Sequence, residues 1–215
     1  MNIDKAIKLH ESHYGKLPAG VICRHAERPH LDRSTKYQGL TQKGIVDAFD
    51  VGQKIAGSWS IFSSPVERCR QTGQAISWGI NFSGGVSNYN SEVGWLGGEL
   101  LYKNHDKAME IVFSQNLWDY IPKWKIGELE PFSDFDIFTK ATCRYISSII
   151  KNHGPSIFVT HDINLIVLAD QAGQSIDKKF YFEFMDAITL ISVPDSLAIV
   201  AWHSGTPLEN WFSLQ

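Results

Sequence analysis

Cysteine is scarce in this chain. Three residues, Cys23, Cys69 and Cys143, are too few and too odd in number for a disulfide framework. None opens a Cys-x5-Arg loop, because Pro29, Ala75 and Ile149 stand six residues on, so a thiolate nucleophile of tyrosine-phosphatase type has no support. Long apolar runs are missing too. Met1 to His10 has no apolar core of signal-peptide length, and no later stretch is long enough to span a bilayer. The chain therefore reads as cytoplasmic, with no membrane partner, and the formal sequon Asn81-Phe82-Ser83 carries no weight. Strong charge of one sign is also absent. A formal net charge of -3 excludes the basic stripe expected of a protein that covers nucleic acid. There is no Gly-x-Ser-x-Gly elbow and no Walker-type loop. His10 and His13 have helical spacing for a metal pair but lack a glutamate-containing zinc motif.

What remains is an ordinary globular composition over 215 residues, the length of one domain or one domain with a sizeable insertion. A chain of this size buries roughly 70% of its unfolded surface and needs no staple to fold. Any anion site on such a mildly acidic body must be a local concentration of arginine. Arg24, Arg28, Arg33, Arg68 and Arg70 supply one, and Arg144 alone lies outside it.

The first residues form an amphipathic helix ending near Gly15, and Gly20-Val-Ile-Cys23 is short enough for a buried strand. Arg24 and His25 then stand where that strand leaves the sheet. Polar loop over 29–39 precedes a helix over about 42–56, N-capped by Thr41. Ser58 to Phe62 reads as a second strand. Ser63 or Ser64 then caps a helix to about Ser77 with Pro65 in its first position. Val86 to Tyr89 is a short third strand, and about 91–131 is an aromatic-rich excursion holding one or two helices. A helix over 133–152 leads to the clearest strand, Ser156 to Thr160, with His161-Asp162 at its exit and a helix over about 163–172 behind it. Two strands, roughly 187–193 and 197–202, close the chain around a hairpin turn at Pro194-Asp195-Ser196.

Strands alternating with helices imply an α/β sheet covered on both faces. Ligands in open sheets of this kind gather at the carboxyl ends of the strands. Arg24-His25, Ser63-Ser64 and His161-Asp162 all fall at such ends. Their chemistry is coherent. Arginine donates a planar, permanently charged fork to phosphoryl oxygens. A neutral imidazole attacks a dianion without adding repulsion, and nearby arginines disfavour its protonated form. A second histidine, once protonated, completes a phosphate cradle, and a carboxylic acid can protonate a leaving alkoxide. His25, Arg24, Arg28, Arg68, His161 and Asp162 provide one residue for each task.

Arg24-His25-Ala26-Glu27-Arg28 resembles the Arg-His-Gly signature of the histidine phosphatase superfamily, including the arginine three residues after the histidine found in its acid-phosphatase branch. Ser63-Ser-Pro-Val-Glu-Arg68-Cys-Arg-Gln-Thr72 is similar to the second signature, Ser-Ser-Pro-x-x-Arg followed by Gln-Thr. Leu40-Thr41-Gln42-Lys43-Gly44 resembles the Leu-Thr-x-x-Gly that opens the intervening helix, and His161-Asp162 the late His-Asp pair. The resemblance covers about residues 20–170. It implies a three-layer α/β/α, phosphoglycerate mutase-like fold with a mixed, mostly parallel sheet. The whole of 1–215 would be one domain with a cap insertion at about 86–131. It further implies a metal-independent phosphatase without cofactor, acting on a phosphorylated small molecule or a phosphoprotein. His25 would become the phosphohistidine, Arg24, Arg28, Arg68 and His161 would hold the phosphoryl group, and Asp162 would be the general acid. Two departures stand out: Ala26 replaces glycine, and Pro29 follows Arg28 directly. The mutase-like branch draws its acid from a glutamate after the third strand, where Glu92 stands, so Glu92 rivals Asp162.

Blander readings exist for most of these residues. Asp162 could simply N-cap the next helix, Glu27 fits a salt bridge to an arginine, and Arg70 fits a solvent-facing position. Trp95, Trp118 and Trp124 fit a core better than a substrate platform. Asp134-Phe-Asp136 is a chance likeness to paired catalytic aspartates. At the level of the whole chain, the rivals are a mutase-like phosphotransferase and a non-catalytic phospho-ligand-binding protein. Phosphate release against transfer to an acceptor separates the first, and turnover of any kind separates the second.

Overall fold

The computed structural model describes residues 3–14, 19–29, 39–98, 100–174, 181–193, 196–203 and 206–213. Most of the expected 29–39 loop, with Arg33, and the turn at Pro194-Asp195 lie outside them. Seven strands form one sheet: β1 (Ala19–Arg24), β2 (Ser58–Ser63), β3 (Val86–Glu92), β4 (Ser156–Thr160), β5 (Ala187–Val193), β6 (Ser196–His203) and β7 (Thr206–Ser213). Their order is β3-β2-β4-β1-β5-β6-β7. The four strands from β3 to β1 run parallel, and β5, β6 and β7 add an antiparallel flank. β7 was not expected. It carries Pro207, Glu209 and Asn210, which break any apolar alternation, and it is an edge strand, where proline is tolerated.

The helices are α1 (Ile3–Tyr14), α2 (Gln42–Gly52), α3 (Glu67–Phe82), α4 (His105–Ser114), α5 (Leu117–Lys125), α6 (Phe135–His153) and α7 (Asp162–Gln171). In α1, Ile3, Ala6, Ile7 and His10 are buried at i, i+3, i+4 and i+7, the stripe of a helix lying on a core. Thr41 caps α2 as expected, accepting from the Gly44 N–H, but the helix stops at Gly52 rather than 56. The β2–α3 junction differs more. Pro65 is not the first helical residue; α3 begins at Glu67 and runs to Phe82, beyond the expected end at Ser77. Val86 onward belongs to the sheet, so the excursion lies between β3 and α6. It comprises a 3-10 turn (Gly94–Gly97), α4 and α5.

Successive strand residues point to opposite faces, and two cores result. Val21 and Cys23 of β1, Ile61 of β2, and Ile157 and Val159 of β4 face α1, α2 and α3. Ile22, Phe62 and Phe158 face the other way, toward α6, α7 and the excursion. Each fully buried side chain of this kind stabilises the fold by about 1.5–3 kcal/mol. The central strands are buried on both faces, which is why their sequences are short, continuous apolar runs. On the first face, α2 and α3 touch through their backbones. A Cβ on Gly79 would stand 2.1 Å from the Phe49 carbonyl oxygen, so only glycine allows this crossing.

Candidate active site

β1 and β4 pair in parallel with Arg24 opposite Thr160, and β2 lies on the far side of β4. The chain stays pinned just beyond the sheet: the His25 N–H donates to the Thr160 carbonyl and the Ser64 N–H to the Val159 carbonyl, both at 2.9 Å. Three strand ends thus present Arg24-His25, Ser63-Ser64 and His161-Asp162 side by side. The first turn of α3 brings Arg68 over them. The Gln71-Thr72 pair then holds the loops in place. Thr72 Oγ1 accepts from the Ala26 N–H (3.0 Å) while donating to the Arg68 carbonyl (2.7 Å). Gln71 Oε1 accepts from the Leu40 N–H (2.7 Å).

His25 is 3% exposed. Its Nδ1 lies 2.8 Å from the Ala26 carbonyl, which can only accept, so Nδ1 carries the proton. Nε2 is unprotonated and accepts from Arg68 Nε at 3.1 Å, so its lone pair is engaged by the guanidinium. Burial, then His161 and Arg68, hold the imidazole well below the usual histidine range, in its neutral form. His161 obeys the same logic with the other tautomer. Nδ1 accepts from Arg68 Nη2 (3.2 Å), so Nε2–H donates to Ser64 Oγ (3.2 Å). Burial and then Arg68, Arg24 and Arg28 push His161 down to about 3. In the free protein both histidines are neutral.

Arg24 is buried. It donates through Nη1 to the Phe182 carbonyl (2.7 Å) and pairs through Nη2 with Asp162 Oδ2 (3.2 Å). Its guanidinium carbon stands 5.0 Å from the Tyr181 ring centroid and 4.4 Å from that of Phe184. Asp162 Oδ2 also accepts from Tyr181 Oη (3.3 Å), and Oδ1 from the Ile163 N–H (2.9 Å), so Asp162 touches both the site and the start of α7. Arg28 donates through Nη1 to the Pro29 carbonyl (3.1 Å). Arg24, His25, Arg28, Arg68, His161 and Asp162 all line one cavity of about 530 Å³. The arrangement places three guanidinium groups and an imidazole lone pair around a space that suits a phosphoryl group.

Glu92 ends β3, and its side chain lies outside the described residues. Glu27 is held by Thr41 Oγ1 (2.9 Å) and Lys43 (4.0 Å) rather than by an arginine. Arg70 pairs with Glu67 at 3.2 Å. Asp134 N-caps α6, accepting from the Ile137 N–H. Trp95 and Trp124 are buried in the core, and Trp118 packs against it. Cys69 lies 3.7 Å from His161 Nε2, and burial pushes its thiol up to about 12, so it is no nucleophile. Among the described residues no cluster of three or more His, Cys, Asp or Glu could hold a metal, and no helix is long and apolar enough to cross a membrane. Sequence reasoning missed Tyr181, Phe182 and Phe184, which clasp Arg24. The run of aromatics at 181, 182 and 184 just before β5 was the available signal.

No protein-family model and no curated protein matches the chain. Solved structures do. A candidate alpha-ribazole-5'-P phosphatase from Escherichia coli superposes with a TM-score of 0.52 at 14% identity, covering 92% of this chain and 96% of its own. A functionally characterised open-reading-frame product of Mycobacterium tuberculosis superposes with a TM-score of 0.50 at 14% identity, covering 92% and 98%. A phosphoserine phosphatase from Entamoeba histolytica is also similar, with a TM-score of 0.47, 18% identity and coverage of 92% and 98%. With its sheet order, the chain has the phosphoglycerate mutase-like α/β fold that these solved structures share, and its candidate site lies at the carboxyl ends of β1, β2 and β4.

Proposed function

We propose that this protein is a metal-independent phosphatase that hydrolyses a phosphomonoester through a phosphohistidine on His25. The observation that carries the reading is the lone pair of His25 Nε2, kept unprotonated by the Nδ1–H to Ala26 carbonyl bond in a cavity lined by three arginines. Phosphate-monoester hydrolysis is among the slowest uncatalysed reactions, and its transition state gains most from cations placed around the equatorial oxygens. Arg24, Arg28 and Arg68 supply them.

The sequence of events follows from the geometry. An incoming phosphoryl group takes over the Arg68 donors that hold the two histidines in the free protein. That frees His25 Nε2, which attacks phosphorus as the P–O bond to the leaving group breaks. Asp162, ion-paired with Arg24 in the free protein, takes a proton from solvent as the phosphoryl group claims that guanidinium, and gives this proton to the leaving oxygen. A water then enters, loses a proton to Asp162 and attacks the phosphohistidine, breaking the P–N bond and releasing inorganic phosphate. His161 takes up a proton while the dianion is bound and completes the cradle. In this reading 1–215 is one domain, the segment between β3 and α6 is its cap, and the substrate is a phosphorylated small molecule or a phosphoprotein.

The test is direct. Purified protein should release phosphate from a generic aryl phosphate at undiminished rate in excess chelator. Inactivity from acid to neutral pH would refute the assignment.

A further inference from the structure

The cavity that holds the cationic cluster has a second wall of opposite character. Leu101, Tyr102, Met109, Val112, Phe113 and Leu117, all from the segment between β3 and α6, line it together with the arginines. Among the described residues, the cap sends no lysine, arginine, aspartate or glutamate into the cavity; His105 is its one titratable imidazole there. His105, Met109, Val112 and Phe113 fall at i, i+4, i+7 and i+8 and so form one stripe of α4. An apolar helical stripe ordinarily seats a helix on its core. Here Ala108, Ile111 and Val112 already do that. The rest of the cavity stripe is left partly open, with Met109 half-buried and Phe113 54% exposed. Two phenols, Tyr102 and Tyr120, also border the cavity.

Resting on the phosphatase reading, we infer that the substrate is a phosphomonoester with an apolar leaving group, alkyl or aryl, rather than a sugar or nucleoside phosphate. The phosphoryl group sits against Arg24, Arg28 and Arg68, and the leaving group lies along the α4 stripe. Hydroxyl groups of a sugar placed against Met109 and Phe113 would leave water without recovering hydrogen bonds there, and that stripe would disfavour them. A methylene placed there gains burial at each step.

The experiment is a homologous series: ethyl, butyl, hexyl and octyl phosphate, with glycerol phosphate and a hexose phosphate beside them, each assayed for kcat/KM by phosphate release. The expected result is a rise with chain length, up to about fourfold per added methylene if each is fully buried. Glycerol phosphate and the hexose phosphate should fall below butyl phosphate. In Phe113→Asp the slope with chain length should flatten. Phe113 is 54% exposed and tolerates that change without loss of the fold, which circular dichroism checks. Turnover that is flat or falling with chain length, or a slope unchanged in Phe113→Asp, overturns the inference while leaving the phosphatase reading standing. Inactivity toward every compound overturns both.

Discussion

Arg68 Nε and His25 Nε2 stand 3.1 Å apart with the arginine as donor, and the Nη2 of the same guanidinium reaches His161 Nδ1 at 3.2 Å. One side chain therefore ties both histidines, and does so through the lone pairs that chemistry would need. On the proposed mechanism, such a contact keeps the nucleophile aligned and unprotonated until a better acceptor arrives. The arginine would then be a guard in the free protein and a clamp in the complex.

Replacing His25 with alanine should lower kcat by a factor on the order of 10³ or more, because no second nucleophile is placed to substitute for it. Rapid acid-free quench of the native protein with labelled substrate should show an acid-labile phosphoryl adduct on His25. An adduct on another residue, or unaltered turnover in the variant, contradicts the assignment.

Anion binding should draw in a proton. His161 is neutral in the free protein, held down at about 3 by burial and the three arginines. A phosphoryl dianion offsets those arginines and favours the imidazolium. Calorimetric titration with vanadate near pH 6.5, in buffers of different ionisation heat, should report net proton uptake, and His161→Gln should abolish it. Binding with no proton exchange in the native protein contradicts the scheme.

Stability of the ligand-free protein should fall with acidity over a defined window. The folded pKa of His161 is depressed, so between about 3 and the unfolded value near 6.5 the unfolded chain binds a proton that the native state does not. Stability from this group is complete above about pH 6.5 and declines as pH falls toward 3. His25 adds a contribution of the same sign. Thermal midpoints from pH 4 to 8 should drop less steeply in His161→Gln than in the native protein; parallel curves would rule out this linkage.

The proton donor is separable by leaving group. Asp162→Asn should cost about 10²–10⁴-fold on an alkyl phosphate and far less on a nitrophenyl phosphate, whose oxygen leaves without help. Glu92→Gln should show no such contrast. The reverse pattern would move the role to Glu92.

Gly44→Ala should destabilise the fold by about 1–3 kcal/mol, visible as a lowered thermal midpoint. Its Cβ would come within 2.2 Å of the Glu27 carbonyl oxygen, a backbone atom that cannot swing aside. The glycine at the start of α2 lets the loop after His25 lie against the helix. A variant as stable as the native protein would show that the loop can shift freely.

Much of this was legible in the sequence, for identifiable reasons. Residues 20–23 and 156–160 sit in strands buried on both faces, so they read as compact apolar runs, and the polar pairs that follow them mark strand exits. Local chemistry misled where tertiary contacts outbid it. Ser63 or Ser64 was expected to cap α3, but the Ser63 hydroxyl donates to the Ser64 carbonyl, the Ser64 hydroxyl is taken by His161 and by the Val66 N–H, and the helix starts two residues late. Tyr181 and Phe184 were invisible because their task, stacking on Arg24, depends on a residue more than 150 positions away. The cap gave only its aromatic content, since the stripe on α4 has meaning only once the cavity beside it is known.

The position of β1 in the sheet sets a schedule for the molecule. The strand that ends in Arg24 and leads into His25 is made before both of its partners, β4 at 156–160 and β5 at 187–193, which lie more than 130 positions further on. Contacts this distant in sequence form slowly. A nascent chain that has emerged as far as α5 therefore displays His25 after a strand with two open edges. On the proposed mechanism, competence waits until β4 and β5 are made and close both edges of β1, and until then the strand is open to pairing with other chains.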